Sequence, residues 1–425
     1  MRLRYKMILA AALVATLSFG AYAAEEDRFG PLKRFIQVMD LIESHYVTPV
    51  SRGELIDGAI VGMLQQLDPH SSFMTKDEFK EMQVSTSGEF GGIGIEISQE
   101  NGRLVVISPI EDTPADKAGI KAGDTILEIE GVPTQDMTLV EAVSKIRGPK
   151  GKAINLTVLH KGSQKPEKFR VVRDTIPIVS VKLNELEDGY VLLRLTRFNE
   201  NTTAEMRDML TIYQKGGKRI KGIVLDLRNN PGGLLDQAVG VADSFLSQGK
   251  IVSIKGRADN QQKDFEVKAS GTKFDAPMVV LINAGSASAA EIVAGALQDQ
   301  KRALLIGEKS FGKGSVQTVI PLADGSGIKL TTALYYTPSG RSIQAEGIEP
   351  DIKVPLQESA ASEKDLFGSG HRFRESDLRR HIENGDKKKT DAAADAKQKV
   401  KEMLDKDNQL ALALDLLKKN IVSVN

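Results

Sequence analysis

Met278-Val-Val-Leu-Ile-Asn-Ala-Gly-Ser-Ala-Ser-Ala-Ala-Glu-Ile-Val-Ala-Gly-Ala-Leu297 runs from five apolar residues through a loop of small ones into a second apolar segment. The stretch predicts a buried strand, a tight loop and a helix. A hydroxyl at Ser286 or Ser288 then stands at a helix N-terminus, where free N–H groups and the helix dipole favour negative charge. The chain has five histidines, none near this segment, and no cysteine. A serine nucleophile here needs another proton acceptor. Lys313, in Gly307-Glu-Lys-Ser-Phe-Gly-Lys-Gly-Ser-Val-Gln317, is the candidate. It serves as a base only if desolvation lowers its pKa toward neutrality. Ser288-Ala-Ala-Glu291 is also a capping-box pattern, so an ordinary helix start is the competing reading. Sequence physics leaves both serines open.

Outward from this segment the pattern is α/β. Strands at 190–195, 222–227, 278–282 and 303–306 alternate with helical segments near 202–216, 234–247 and 288–300, which implies a sheet with parallel pairs covered by helices. Asp226-Leu-Arg-Asn-Asn-Pro-Gly-Gly-Leu-Leu235 carries a strand into a Pro-Gly-Gly turn. Ligands of open α/β sheets bind beyond the carboxyl ends of strands. Glycines there bring backbone N–H groups up to an oxyanion, although a plain tight turn has the same composition. Gln317 lies four residues beyond Lys313. On a straight strand that is about 13 Å, so direct contact needs a bulge or turn.

Residues 85–173 read as a separate module of short strands punctuated by glycine. Phe90-Gly-Gly-Ile-Gly-Ile95 can hold a peptide carboxylate on backbone N–H groups, while an adjacent strand edge and helix hold the rest by β-addition. Arg147 ends the module's predicted helix, where a cation complements the dipole. Residues 27–80 have mainly helical spacing, and His70 reads as part of a cap and turn.

The N-terminus has a positive segment, Met1–Lys6, a short apolar run to Phe19, and Ala21-Tyr22-Ala23, which fits a secretory signal with its cleavage site. An uncleaved anchor is the alternative. Export permits disulfides, but a chain without cysteine forms none. The absence also excludes a cysteine protease and a thiolate metal site. Charges balance at 57 against 57, which argues against nucleic acid held on a broad basic surface. Beyond residue 356 the chain turns polar, and the charged run at 386–389 and the Ala/Asp run at 391–396 read as a solvated linker. The leucine-rich segment 408–419 reads as a helix that packs on the body or on another subunit.

Together these segments resemble the C-terminal processing peptidases. The resemblance covers roughly 27–356. It rests on Leu67-Asp-Pro-His-Ser-Ser-Phe73, Gly91-Gly-Ile-Gly-Ile95, the segment 108–124, Asp226–Gly233, Gly285–Glu291, Phe311–Gln317, Tyr336–Arg341 and Gly347–Asp351, in that order. It implies an α/β fold: a crotonase-like protease core with an inserted PDZ domain, an N-terminal helical segment and a C-terminal helical tail. The expected boundaries are a signal peptide at 1–23, N-terminal helices at 24–83, the PDZ domain at 84–175, the core at 176–356, and a linker with a helix at 357–425.

The resemblance selects Ser288 as nucleophile, Lys313 as general base and Gln317 as the residue that orients it. It implies an oxyanion hole from the amides of Gly232, Gly233 and Ala289, with Ala290 where many members carry a further serine. Gly91, Gly92, Ile93, Gly94, Ile95 and Arg147 become the expected peptide-binding residues of the PDZ domain. The implied function is a periplasmic serine endopeptidase acting on proteins with exposed C-terminal tails, without metal or cofactor. A homo-oligomer through terminal helices and a helical-repeat lipoprotein adaptor are the implied partners. The competing function is a non-catalytic PDZ scaffold or chaperone on a degenerate protease core.

Overall fold

Short runs of branched apolar residues build the central sheet, because side chains of a strand buried on both faces alternate between two cores. The computed structural model describes residues 29–100, 102–135, 137–257, 262–269, 271, 273–357 and 392–421, with side chains of 392–397 excepted. The expected signal peptide lies outside the described residues, as does the charged run at 386–389.

The chain divides into two units, residues 1–73 and 74–425. Within the first, helices α1 (Gly30–His45) and α2 (Arg52–Gln65) are joined by Arg52, which pairs with Asp40 at 2.7 Å and Glu43 at 2.6 Å. A capping box of Ser51 and Glu54 starts α2. Leu32, Phe35, Ile36 and Leu41 of α1 are exposed.

The second unit opens with α3 (Lys76–Ser87). The glycine-punctuated module follows: β1 (Glu89–Gly92), β2 (Ile95–Glu100), β3 (Arg103–Pro109), α4 (Pro114–Ala118), β4 (Thr125–Ile129), α5 (Leu139–Ile146), β5 (Ala153–Leu159), β6 (Glu167–Val172) and β7 (Asp174–Pro177). Strands β2-β3-β4-β5-β6 lie in that order in one sheet, leaving β2 at its edge, and β1 pairs with β7. Its own core gathers Ile93, Val106, Ile126, Ile129, Ala142, Ile146, Ile154 and Val158.

Next come β8 (Val181–Glu187), β9 (Tyr190–Leu195), α6 (Thr202–Lys215), β10 (Gly222–Asp226), α7 (Leu235–Phe245), β11 (Lys250–Gly256), β12 (Gln262–Glu266), β13 (Met278–Ile282), α8 (Ala289–Asp299), β14 (Leu304–Gly307), β15 (Ser315–Pro321), β16 (Gly327–Tyr336) and β17 (Ile352–Lys353). The central sheet runs β8-β9-β10-β13-β14-β17, parallel from β9 onward with β8 antiparallel. Strands β15, β16, β11 and β12 pair antiparallel in a separate sheet, which the sequence reading had not assigned. Their alternating polar residues carry a weaker signal than five consecutive apolar ones.

Met278, Val280 and Ile282 face the core under α6–α8, whereas Val279 and Leu281 face the other side. That side is covered by α9 (Ala392–Lys406) and α10 (Asn408–Lys418), whose Leu410, Ala413, Leu414, Leu416 and Leu417 are buried there. Each such leucine contributes about 1.5–3 kcal/mol of burial. The leucine-rich tail therefore packs on its own chain. The run at 391–396, expected as linker, is helical from Ala392. Alanine is the strongest helix former, and Val400, Met403 and Leu404 anchor the same helix on the core.

Candidate active site

Strands β10, β13 and β14 are neighbours in the sheet, and each ends in one of the loops singled out from the sequence. The parallel order thus gathers residues 226–234, 283–288 and 307–314 at one end of the sheet, where ligands of such folds bind.

The β13 loop separates the two serines. Ser286 is fully buried, its hydroxyl donating to the Leu227 carbonyl at 2.8 Å and accepting the Asn283 N–H at 3.0 Å. Both bonds hold the loop. Ser288 has φ 54° and ψ −112°, a conformation unlike the extended backbone of an ordinary N-cap. Such a conformation in a non-glycine residue costs on the order of 1–3 kcal/mol and persists only when its surroundings enforce it. Ser288 and Glu291 have the arrangement of a capping box, but its firm arm is the Ser288 N–H on the Glu291 carboxylate, and the Ser288 hydroxyl forms no close cap hydrogen bond.

What enforces that backbone is Glu291, one turn into α8 and fully buried. Its Oε2 accepts the Ser288 N–H at 2.8 Å and the Lys313 N–H at 2.9 Å. Its Oε1 accepts the Ser310 hydroxyl and the Gly312 N–H, both at 2.6 Å. One carboxylate oxygen therefore ties the backbones of Ser288 and Lys313, 25 residues apart in sequence, to a common point. Burial pushes the Glu291 pKa up, and the four hydrogen bonds oppose it. The sequence reading gave Glu291 only a capping role. The signal available for more was a buried-helix acid facing a glycine turn rich in unpaired amides.

Lys313 is half-buried. Desolvation lowers its pKa below the usual lysine value, Lys329 lowers it further, and Glu291 raises it. Gly314 is required by packing, since a Cβ there would stand 2.2 Å from the Gln344 nitrogen.

Gln317 follows a bulge between Val316 and Gln317, the irregularity that a return toward Lys313 requires. Its Nε2 donates to Thr331 Oγ1 at 2.8 Å and Ser315 Oγ at 3.2 Å, while its Oε1 is buried without a partner among the described residues. No hydrogen bond joins Gln317 to Lys313 among the described residues.

Gly232 and Gly233, with φ 96° and 145°, form the turn after β10. A Cβ on Gly232 would lie 2.7 Å from the Ala287 carbonyl oxygen and 2.9 Å from Ser288 Cβ, so the turn abuts the serine. The Gly232 N–H is donated to Asn230 Oδ1 at 2.9 Å, which corrects its expected place as an oxyanion donor. The amides of Gly233 and Ala289 have no hydrogen-bond acceptor among the described residues. Asn230, fully buried and missed from sequence, also donates to the Leu195 carbonyl at 2.8 Å and accepts the Ala287 N–H on its own carbonyl at 2.9 Å.

In the glycine-rich module, Gly91 and Gly92 belong to β1, and Gly94, at φ 78°, turns the chain into Ile95 at the start of edge strand β2. The Ile93 side chain is fully buried in the module's core, so only its backbone can meet a peptide. Arg147 caps α5, donates to Glu81 of α3 at 2.5 Å and lies 4.9 Å from the centre of the Phe90 ring. Its partners are thus an acid and an aromatic ring outside its own helix. No group of acidic residues and histidines among the described residues could hold a metal ion. No helix among them is long and apolar enough to cross a membrane.

Residues 189–354 match the family model of peptidase family S41, 81–159 match the PDZ domain, and 15–78 match the N-terminal domain of activating protease CtpB. A carboxy-terminal-processing protease of Bartonella bacilliformis is 47% identical over 381 residues, spanning 88% of this chain and 86% of that protein. The carboxy-terminal processing protease CtpA of Bacillus subtilis is 39% identical over 321 residues, 75% of this chain and 68% of that protein. Among solved structures, a photosystem II D1 C-terminal processing protease aligns at 30% identity and a TM-score of 0.44, covering 79% of this chain and 96% of that one.

Proposed function

We propose that this chain, which belongs to the carboxy-terminal processing proteases of peptidase family S41, cuts its substrates with a Ser288–Lys313 dyad. The observation that carries the reading is Glu291 Oε2, which accepts the N–H groups of both residues. In this reading Ser288 Oγ attacks the peptide carbonyl carbon while its proton passes to the neutral Lys313 amine. The amides of Gly233 and Ala289 receive the developing oxyanion. Collapse breaks the C–N bond, and the leaving amine takes the proton from Lys313. Water, giving its proton to Lys313, then attacks the acyl-enzyme ester, and Lys313 returns that proton to the departing Ser288 Oγ. Gln317 would accept a hydrogen bond from the lysine amine on its unpaired Oε1.

The PDZ domain would capture the substrate's C-terminal tail as an added strand on the open edge of β2 beside α5, its carboxylate held by amides of the 91–95 segment. Arg147 would then tie tail binding to α3 through Glu81. The signal-like N-terminus supports export to the periplasm. The exposed apolar residues of α1 support a homo-oligomer through the N-terminal helices, since the leucines of α10 are used within the chain. The adaptor belongs to the proposal on resemblance alone, and copurification of a helical-repeat lipoprotein with the exported chain tests it.

Ser288→Ala and Lys313→Ala should each abolish cleavage of a disordered test protein while leaving the fold intact. Retained cleavage by either variant rejects the dyad. Covalent labelling of Ser288 by an acylating inhibitor separates the enzyme from a non-catalytic scaffold, which has no activated serine.

A further inference from the structure

Arg228 stands two residues before Asn230, in the turn that brings Gly233 to the serine. Its guanidinium has five N–H donors, and each finds an acceptor. Nε and Nη2 donate to Asp226 Oδ1 at 2.9 Å and Oδ2 at 3.0 Å. Nη2 and Nη1 donate to Asp407 Oδ2 at 2.7 Å and Oδ1 at 3.0 Å, and Nη1 donates to Gln409 Oε1 at 2.9 Å. Three of these five bonds cross from the β10 turn to the start of α10. Arg228, Asp226 and Gln409 are buried, at 8%, 0% and 1% exposure, and Asp407 is half-buried.

Both residues from α10 are held at their other ends. Asp407 Oδ1 caps α10 by accepting the Leu410 N–H at 2.9 Å, and Gln409 Nε2 donates to the Val354 carbonyl at 2.7 Å. Arg194 adds a second cation, donating to Asp226 Oδ2 at 3.3 Å. Burial alone would lower the Arg228 pKa, but the two carboxylates outweigh it and leave the cation fixed. A buried guanidinium deprived of one carboxylate keeps its desolvation cost and loses its compensation, so the turn would shift to recover a partner. From Arg228 the path to the chemistry is short. Asn230 takes the Gly232 N–H on its side chain and the Ala287 N–H on its carbonyl, which seats the glycine turn against the residue preceding Ser288.

We propose that α10 is a working part of the catalytic centre, with Asp407 and Gln409 acting through Arg228 as positioning residues for the Gly233 oxyanion donor. These residues lie beyond the stretch 189–354 that matches the peptidase model. The proposal rests on the Ser288 reading. Under it, the C-terminal segment determines turnover as well as stability, because an oxyanion donor acts only when aimed at the developing charge.

The test compares Asp407→Asn and Gln409→Ala with Leu414→Ala, all in the full chain and well below each variant's melting temperature. Leu414 packs on the same face of the sheet without a hydrogen bond to Arg228, so its truncation reports the loss of helix packing alone. Asp407→Asn and Gln409→Ala should lower kcat at least about tenfold at unchanged KM, and weaken a peptide boronate that forms a tetrahedral adduct by the same factor. Leu414→Ala should lower the melting temperature and keep kcat. Wild-type kcat in the Arg228-partner variants overturns the proposal. So does a loss of kcat in all three that follows only their loss of melting temperature. Ser288→Ala run alongside keeps the two claims apart: cleavage by that variant defeats the dyad, whereas its inactivity beside fully active Asp407 and Gln409 variants defeats only the role of α10.

Discussion

Thr138-Leu-Val-Glu141 and Ser288-Ala-Ala-Glu291 share one sequence pattern and fold into different devices. At the PDZ helix, Thr138 has extended backbone at φ −70° and ψ 155°, its hydroxyl accepts the Glu141 N–H at 3.2 Å, and Glu141 accepts the Thr138 N–H at 2.8 Å. The acid is exposed and its pKa is lowered, first by that backbone hydrogen bond. At α8 the serine takes a strained left-handed φ, and its acid is fully buried with its pKa raised by burial. Glu141 serves its own helix, whereas Glu291 also holds residues 310–313. The difference teaches that a capping box does more than start its helix when its acid is shared with a distant loop, because the shared bonds override the serine's preferred backbone.

Equivalent substitutions at the two sites break this comparison most directly. Ser288→Ala should lower kcat by on the order of a thousandfold or more, whereas Thr138→Ala should cost about 1 kcal/mol of stability and leave labelling of Ser288 unchanged. Chemical denaturation and single-turnover cleavage measure the two. Equal kinetic effects would mean that the two boxes are one device.

Gly232→Ala should follow, with a loss of about a hundredfold in kcat, because the added methyl meets Ala287, Ser288 and Ala289 at a backbone of φ 96°. Near-normal turnover in that variant would show that the turn does not seat the oxyanion donor. Glu291→Gln replaces one accepting oxygen with a donor, so about a tenfold or greater loss is expected, while Glu141→Gln should stay within about 1 kcal/mol of wild-type stability. A pair of equally silent glutamines would reduce Glu291 to a cap.

The pH dependence is a subtler probe. In the proposed dyad the neutral lysine is the reactive form, so kcat/KM should rise with pH and level off at an apparent pKa below the ordinary 10.5 of lysine. A rise that tracks an unshifted lysine would remove desolvation from the account. The smallest effect is on stability. Because the folded-state pKa of Lys313 is depressed, the unfolded chain binds its proton more tightly, and burial of the cation destabilises the fold at pH values below that depressed pKa. Lys313→Met should therefore raise the melting temperature slightly at neutral pH. The gain should shrink as pH rises through the depressed pKa toward 10.5, as scanning calorimetry across that range would record.

Much of this was legible in advance from particular residues. Apolar runs of three to five residues located β9, β10, β13 and β14, and the glycine turns marked the loops at their ends. The antiparallel sheet of β11, β12, β15 and β16 escaped, because half-exposed strands mix polar and apolar residues. The region of the candidate serines was readable from its small residues, but the sequence could not separate Ser286 from Ser288 on physical grounds. In the folded chain one hydroxyl is consumed by Leu227 and Asn283, and the other forms no close cap hydrogen bond. Gly232 looked like an oxyanion donor until Asn230 proved to occupy its amide. Which amide is free depends on partners that local composition does not name.

The sequence by itself determined the order of elements, the lack of a histidine near the serine and of any cysteine in the chain, and the glycines that let backbones approach. Those follow from residue type and spacing, which act over a turn or a strand. Tertiary structure alone decided that Glu291 joins Ser288 to Lys313, that Asn230 takes one glycine's amide and leaves the next free, and that Arg228 reaches residues 407 and 409. Glu291 and Lys313 are 22 positions apart and Arg228 and Gln409 are 181 apart, while Asn230, only two residues from Gly232, is itself held by Leu195, 35 positions away. Only the parallel packing of β10, β13 and β14, closed over by α10, brings such groups within reach of one another.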